Sequence, residues 1–261
     1  MLLPLVAKLA THVPLSNADR DAILSLPHKI VVIDAGRYLF REGDRATNCN
    51  VILSGFACTH KILPDGSRQI LAVHMKGDGI DLQNALMVLM EHNAQALTSV
   101  EVAVIPAQAI AEVVSSRPSV ARAIWIETLI HASIQREWTV NVGRRDARTR
   151  IAHLLCELGI RQEAAGLADR DRYVLPLTQE QLADATALTA VHVNRVLQGL
   201  AGDGLITREK RSLNMQDWHR MADAGQFTPD YLQPAQNDIP SQPLVRPGRG
   251  QRRSSVGRSF T

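Results

Sequence analysis

LTQEQLADATALTAVHVNRVLQGLAGDGLITREKRSLNM, residues 177–215, is the stretch on which the fold turns. Thr178 can cap a helix that begins at Gln179, and Gln181 at the third helical position completes a capping box. Leu182 and Ala185 then fall on one face, and Ala183 is small where a second helix must cross closely. After the ATA turn and Leu188, Thr189 can cap that second helix, whose apolar positions are Val193, Val196, Leu197 and Leu200. Two short helices, a tight turn and small residues at the crossing form a helix-turn-helix pattern. GDGLI next opens a strand, REKRS reads as a turn and LNM as the returning strand, which makes a hairpin wing.

This pattern exposes the first turns of the second helix. Ala190, Val191, His192, Asn194 and Arg195 are the side chains that a major groove would meet. Arg195 can donate twice to guanine O6 and N7, and Asn194 can pair with adenine N6 and N7. Thr178, Gln179 and Thr189 stand at helix N-termini, where hydroxyls and backbone N–H groups meet phosphates. Lys210 and Arg211 at the wing tip can each neutralise a phosphate.

Working outward, residues 144–158 (RRDARTRIAHLLCEL) predict a helix leading into this unit. Before it, SVARAIWIETLIHASIQREWTVNV runs without Gly or Pro. Ile126, Ile130, Ile134 and Trp138 form one stripe and Trp125, Leu129 and Ala132 a neighbouring one. Two stripes on one long helix serve two surfaces, its own domain and another chain. Gly143 is expected to end it, and Pro118 to end the short helix before it.

Residues 28–107 are strand-like, with KIVVI, YLF, NVIL, HKIL, QILAV and VEVAVI separated by DAGR, REGD, LSG, PDGS and KGDG. Short strands at near-regular spacing predict a small barrel or sandwich. Residues 1–27 look helical, with Ser16 a candidate cap. Residues 166–175 read as a polar loop, and from Thr228 the Pro, Gln, Ser and Arg content predicts a disordered tail.

The 261 residues are 45% hydrophobic and 21% charged, which excludes a collagen-like repeat, a wholly disordered chain and a polytopic membrane protein. No apolar run approaches the roughly 20 residues of a membrane span, and no signal sequence is evident, so a cytoplasmic location is expected. The net charge of +3 is uneven. Residues 1–143 hold 12 basic against 13 acidic side chains, residues 144–231 hold 12 against 12, and residues 232–261 hold 5 against 1. Bulk charge therefore gives no argument for nucleic acid, and local arrangement must carry it.

The order and spacing of these segments resemble the Crp/Fnr transcription regulators across about residues 12–220. GRYLFREGD (36–44), VILSG (51–55) and GSRQILAVHMKGD (66–78) carry the resemblance in the N-terminal part, and residues 177–200 followed by DGLI (203–206) carry it in the C-terminal part. It implies an α+β chain of three parts. An N-terminal β-roll, a cyclic-nucleotide-binding-like jelly roll, would occupy residues 1–118 as the effector domain. A long dimerisation helix and hinge would span 119–143, and a C-terminal winged helix-turn-helix 144–227, followed by a basic tail over 228–261. It also implies a homodimer that reads an interrupted palindrome in double-stranded DNA and contacts RNA polymerase. The family's recognition helix commonly carries a Glu that accepts from cytosine. Here that position is Val191, which can touch only a thymine methyl, so the operator should differ.

The effector region departs too. Cyclic-nucleotide binders place a Gly-Glu and an Arg around the cyclic phosphate, whereas here Asp78 stands near the Glu position and no Lys or Arg occurs from Gly77 to Ser116. Burying a phosphate without a cation is costly, which argues against cyclic AMP. Asp78, Asp81, Gln83, Asn84, His92 and Asn93 remain candidates to line a pocket for another small-molecule effector. Cys49, Cys58 and Cys156 are too few and too scattered for an iron–sulfur cluster. His60, His74 and His92 read as surface or β-roll histidines. The sequence implies no cofactor, no metal site and no catalytic residue, since zinc-protease, nucleophile-elbow and phosphate-loop motifs are absent. The alternative is a small-molecule-binding module that acts through protein contacts.

Overall fold

The computed structural model describes residues 1–233, apart from the side chains of Asn84 and Ala85. Two short helices open the chain, α1 (Leu3–Ala10) and α2 (Asn17–Leu24). Ser16 caps α2 as expected, with Asp19 returning the bond in a capping box. The strands β1 (Lys29–Ile33), β2 (Tyr38–Phe40), β3 (Asn48–Ser54), β4 (Ala57–Ile62), β5 (Arg68–His74), β6 (Gly79–Ile80), β7 (Asn93–Ala96) and β8 (Val100–Pro106) follow. A 3-10 turn over Leu82–Leu86 interrupts them.

The strands form two antiparallel four-stranded sheets, ordered β1-β8-β3-β6 and β2-β7-β4-β5. Alternation along each strand sends one set of side chains between the sheets. Phe40, Ile52, Ile80, Met90, Ala94 and Val102 fill that layer. On the outer face of the first sheet, Leu5, Leu9 and Ile23 of the N-terminal helices meet Val51 and Ile105. The β-roll expected from the sequence is therefore present. β7 was not legible, because NAQA carries no apolar alternation of its own and takes its register from β2 and β4.

α3 (Ala107–Ser116) ends before Pro118, and Pro118 itself opens α4 (Pro118–Arg144), where its missing N–H costs nothing. Gly143 does not end α4, contrary to expectation. The helix runs through it to Arg144, and the break falls at Arg145, which is extended because Asp146 caps α5 (Ala147–Ala164). Along α4, Ile130, Ile134 and Trp138 are buried while Trp125 and Leu129 stay exposed, so the two stripes face different surroundings.

Beyond α5 come β9 (Arg172–Val174), α6 (Gln179–Thr186), α7 (Ala190–Gly202), β10 (Ile206–Glu209), β11 (Ser212–Met215) and α8 (Trp218–Gly225). β9 lies in the segment read as a loop, and it pairs with β11 to make the wing a three-stranded sheet ordered β10-β11-β9. Gly159 of α5 permits this close approach. A Cβ there would stand 2.2 Å from the Arg170 carbonyl oxygen.

Residues 228–233 are ordered rather than tail-like. A 3-10 turn over Pro229–Leu232 sets the Tyr231 hydroxyl 2.7 Å from Glu157, to which it donates. Tyr231 also stacks on His153. The rest of the expected tail, residues 234–261, lies outside the described residues. Among the described residues no helix is long and apolar enough to cross a membrane.

Candidate nucleic-acid interface and effector cavity

The two helices α6 and α7 cross as their sequence requires. Thr178 accepts from the Gln181 backbone and Gln181 bonds back, while Thr189 accepts from the His192 N–H. Between the helices, Ala187 takes a left-handed conformation at φ 53° and its N–H closes on Ala183. Leu182, Ala183, Val193, Leu197 and Leu200 are buried beneath the crossing. That burial fixes which side of α7 looks outward.

Thr178, Thr189, Val191, His192, Asn194 and Arg195 are all exposed, and Ala190 and Gln179 are half-buried. Val191 is 72% exposed, an apolar side chain with nothing of its own chain to cover it. Gln179 Nε2 donates to Asn194 Oδ1 at 3.2 Å, which ties the two helix starts together and presents Asn194 in a defined direction. The wing tip is a two-residue turn. Lys210 takes φ 54° and both it and Arg211 project into solvent. Eight of the ten residues singled out in the sequence for a duplex contact are exposed, and Gln179 and Ala190 are half-buried.

Behind this surface α6 is held against the β-roll. Arg68 of β5 donates to Asp184 Oδ2 from Nε at 2.7 Å and from Nη2 at 2.6 Å. Its second partner is Gln95 of β7, whose Oε1 accepts from Nη1 at 2.9 Å.

A cavity of 360 Å³ lies between β4–β5 and α4. Of the candidates named from the sequence, Asp81, Gln83 and His92 line it, and Asp81 pairs with His92 at 2.9 Å. The structure does not place two of the other candidates there. Asn93 is buried and its Oδ1 accepts from the Glu42 N–H. Asp78 is fully buried in the turn between β5 and β6, where it accepts from the Met75 N–H. Asn84 lies in the 3-10 turn, and its side chain is not among those described.

Some of the lining residues that sequence reasoning missed belong to the roll, such as Thr59, Leu71 and Glu91, and others come from outside it. Thr128, His131 and Gln135 of α4 close one wall, and Arg161 of α5 supplies a cation. Arg161 is fully engaged. It donates to the Val73 carbonyl at 2.6 Å, to Asp78 at 3.1 Å and to Glu157 at 3.3 Å. Burial opposes the charge on Asp78, but Lys8 and Arg161 outweigh it and hold the carboxyl at about 2. His60 and His74 are roll histidines but not surface ones, since both are buried. Burial lowers His74 to about 3, so its ring is neutral. All three cysteines are buried, and burial pushes the Cys58 thiol up to about 12, which keeps it protonated at neutral pH.

Residues 30–117 match the family described as Cyclic nucleotide-binding domain, and residues 149–224 match the Crp-like helix-turn-helix domain. Transcriptional activator protein FnrL of Cereibacter sphaeroides is 28% identical over 191 residues, 72% of this chain and 76% of that one. Nitrogen fixation regulation protein FixK of Bradyrhizobium diazoefficiens is 29% identical over 198 residues, 73% of this chain and 80% of its own. The structure of FixK2 from Bradyrhizobium japonicum superimposes with a TM-score of 0.70 at 23% identity, over 76% of this chain and 98% of that one.

Proposed function

The chain belongs to the Crp/Fnr family of DNA-binding transcription regulators, and from that premise we propose that it works as a homodimer reading an interrupted palindrome. The observation that carries the reading is the outward face of α7. Its first two turns expose Val191, His192, Asn194 and Arg195, with Thr189 capping the helix and Lys210 and Arg211 flanking it. Arg195 would read guanine, and Asn194, steered by Gln179, would read adenine. Val191 would pack on a thymine methyl. Thr178, Gln179, Thr189, Lys210 and Arg211 would hold phosphates.

The exposed Trp125 and Leu129 of α4 support pairing of two copies along that helix. A two-fold axis there would set the recognition helices about 34–36 Å apart, one turn of duplex. Contact with RNA polymerase and residence in the cytoplasm follow from the same reading, which includes no catalytic step.

Cyclic AMP is not the effector on this reading. The cation in the cavity, Arg161, already has three partners, so a cyclic phosphate would have to take it from Asp78 and Glu157. The cavity, lined by Asp81, Gln83 and His92, would suit a smaller polar effector.

Selection of bound duplexes from a random pool by the full-length, ligand-free protein tests the proposal. Enrichment of an inverted repeat with half-sites one helical turn apart is the expected result. Failure to enrich any sequence, both with purified protein and with cell extract added, would overturn it.

A further inference from the structure

On the opposite side of α4 from Trp125 lies a cluster of ionisable groups that DNA reading does not use. Glu127 is 3% exposed and faces α1. His131, one turn further along α4, approaches Glu127 Oε1 at 3.2 Å, and His12, between α1 and α2, approaches Oε2 at 2.5 Å. One ligand atom each from Asp78, Glu127 and His131 lie within 4.8 Å of one another. The ring of His74 stands edge-on to His131, with centroids 6.0 Å apart. His74 is 95% buried and its Nδ1 has no hydrogen-bond partner among the described residues, yet the ring lines the cavity beside His131.

The Lys8 ammonium lies between the two carboxylates. Lys8 Nζ is 3.1 Å from Asp78 and 3.5 Å from Glu127. Its side chain remains 31% exposed, so the four-carbon stem can carry the ammonium out to water without unfolding α1.

We propose that Asp78, Glu127 and His131 form a binding site for a divalent transition-metal ion, with His74 on its cavity side, and that Lys8 is the charge the metal displaces. Two carboxylates and imidazole are the donor set of zinc-like and iron-like ions, whereas magnesium and calcium prefer oxygen alone. A divalent ion there brings two positive charges in place of the one on Lys8, beside the Arg161 guanidinium that already pairs with Asp78. The donors sit on two packed elements, the turn after β5 and α4, with Asp78 and Glu127 buried and His131 half-buried, which limits how far they can spread. The three donors come from a turn and from a helix about fifty residues later, so no sequence spacing announces them.

The test uses the full-length protein, stripped with a chelator, and reads metal binding directly, so its outcome is independent of DNA recognition. Cobalt(II) is titrated in while its visible d–d bands are followed, and zinc(II) is then used to displace it. One ion per chain is expected. His131→Ala and Glu127→Gln should weaken binding about 10–100-fold or more. Lys8→Met should strengthen it by about tenfold or more, because an adjacent like charge is gone. Circular dichroism of each variant checks folding. Lys8→Met keeps the test informative if the ligand variants unfold, because a purely structural ion network has no reason to yield tighter metal binding when its lysine is removed. Absence of one-to-one binding in both wild type and Lys8→Met would overturn the proposal, as would binding that a folded His131→Ala leaves unchanged.

Discussion

Arg161 on α5 and Asp78 in the β-roll turn form an ion pair at 3.1 Å with both side chains withdrawn from water, 9% and 1% exposed. The pair joins the helix that leads into the winged unit to the domain that holds the cavity. Its geometry is completed by the Val73 carbonyl, the Met75 N–H and Glu157. Breaking one side of such a pair strands a buried charge.

Arg161→Met should therefore destabilise the protein by about 3–5 kcal/mol, whereas Arg161→Met combined with Asp78→Asn should cost less than the sum of the two single changes. Urea unfolding of the four proteins of the cycle measures this. Additive costs would show that the pair is not coupled.

His74 gives stability a pH dependence of known sign. Burial lowers its folded value to about 3, while a histidine in the unfolded chain titrates near its ordinary value of 6.5. Between these values the unfolded chain binds more protons, so this contribution is full above about pH 6.5 and is lost as pH falls toward 3. Denaturant midpoints should fall between pH 7 and pH 4, and His74→Gln should flatten the slope. Asp78, held at about 2, adds a further loss only below about pH 4.

Arg195 and Lys210 should separate by kind of DNA. Arg195→Ala should cost about 1–3 kcal/mol on the selected operator and relax one base position. Lys210→Ala should weaken operator and random duplex alike and reduce the salt slope by about 1. Binding isotherms on both duplexes across a salt series check this. Identical behaviour of the two variants would refute the groove assignment.

Ala187 holds φ 53° at the end of α6, a conformation that disfavours any side chain with a Cβ. Ala187→Gly should raise stability by about 0.5–1 kcal/mol, since the site lies in a turn where helix propensity is not at stake. Thermal unfolding reads the gain, and a loss would mean that the turn tolerates alanine without strain.

The winged unit was legible because its signals are local. Thr178, Gln181 and Thr189 announce helix starts, Ala183 the close crossing and GDGLI the first wing strand. The strands β7 and β9 were not legible, because their pairing partners, not their own residues, define them. Gly143 misled because glycine weakens a helix without ending it, and the true stop comes from the Asp146 cap. In the cavity, Asp81, Gln83 and His92 could be guessed from one loop. Arg161 could not, being 83 residues from its partner Asp78. Asn93 was misplaced because its neighbour in space, Glu42, belongs to another strand connection.

Glu157 collects the Trp138 indole at 2.9 Å, Arg161 at 3.3 Å and the Tyr231 hydroxyl at 2.7 Å. The first two partners are close in the chain, but Tyr231 lies 74 residues downstream. During synthesis from the N-terminus, the β-roll can close as soon as α3 has emerged from the ribosome. The buried carboxylate of α5 must wait for almost the whole described chain before its last donor arrives. A ribosome stalled before residue 231 therefore displays a finished roll beside an unfinished junction, and completing that junction is among the last events in the birth of the molecule.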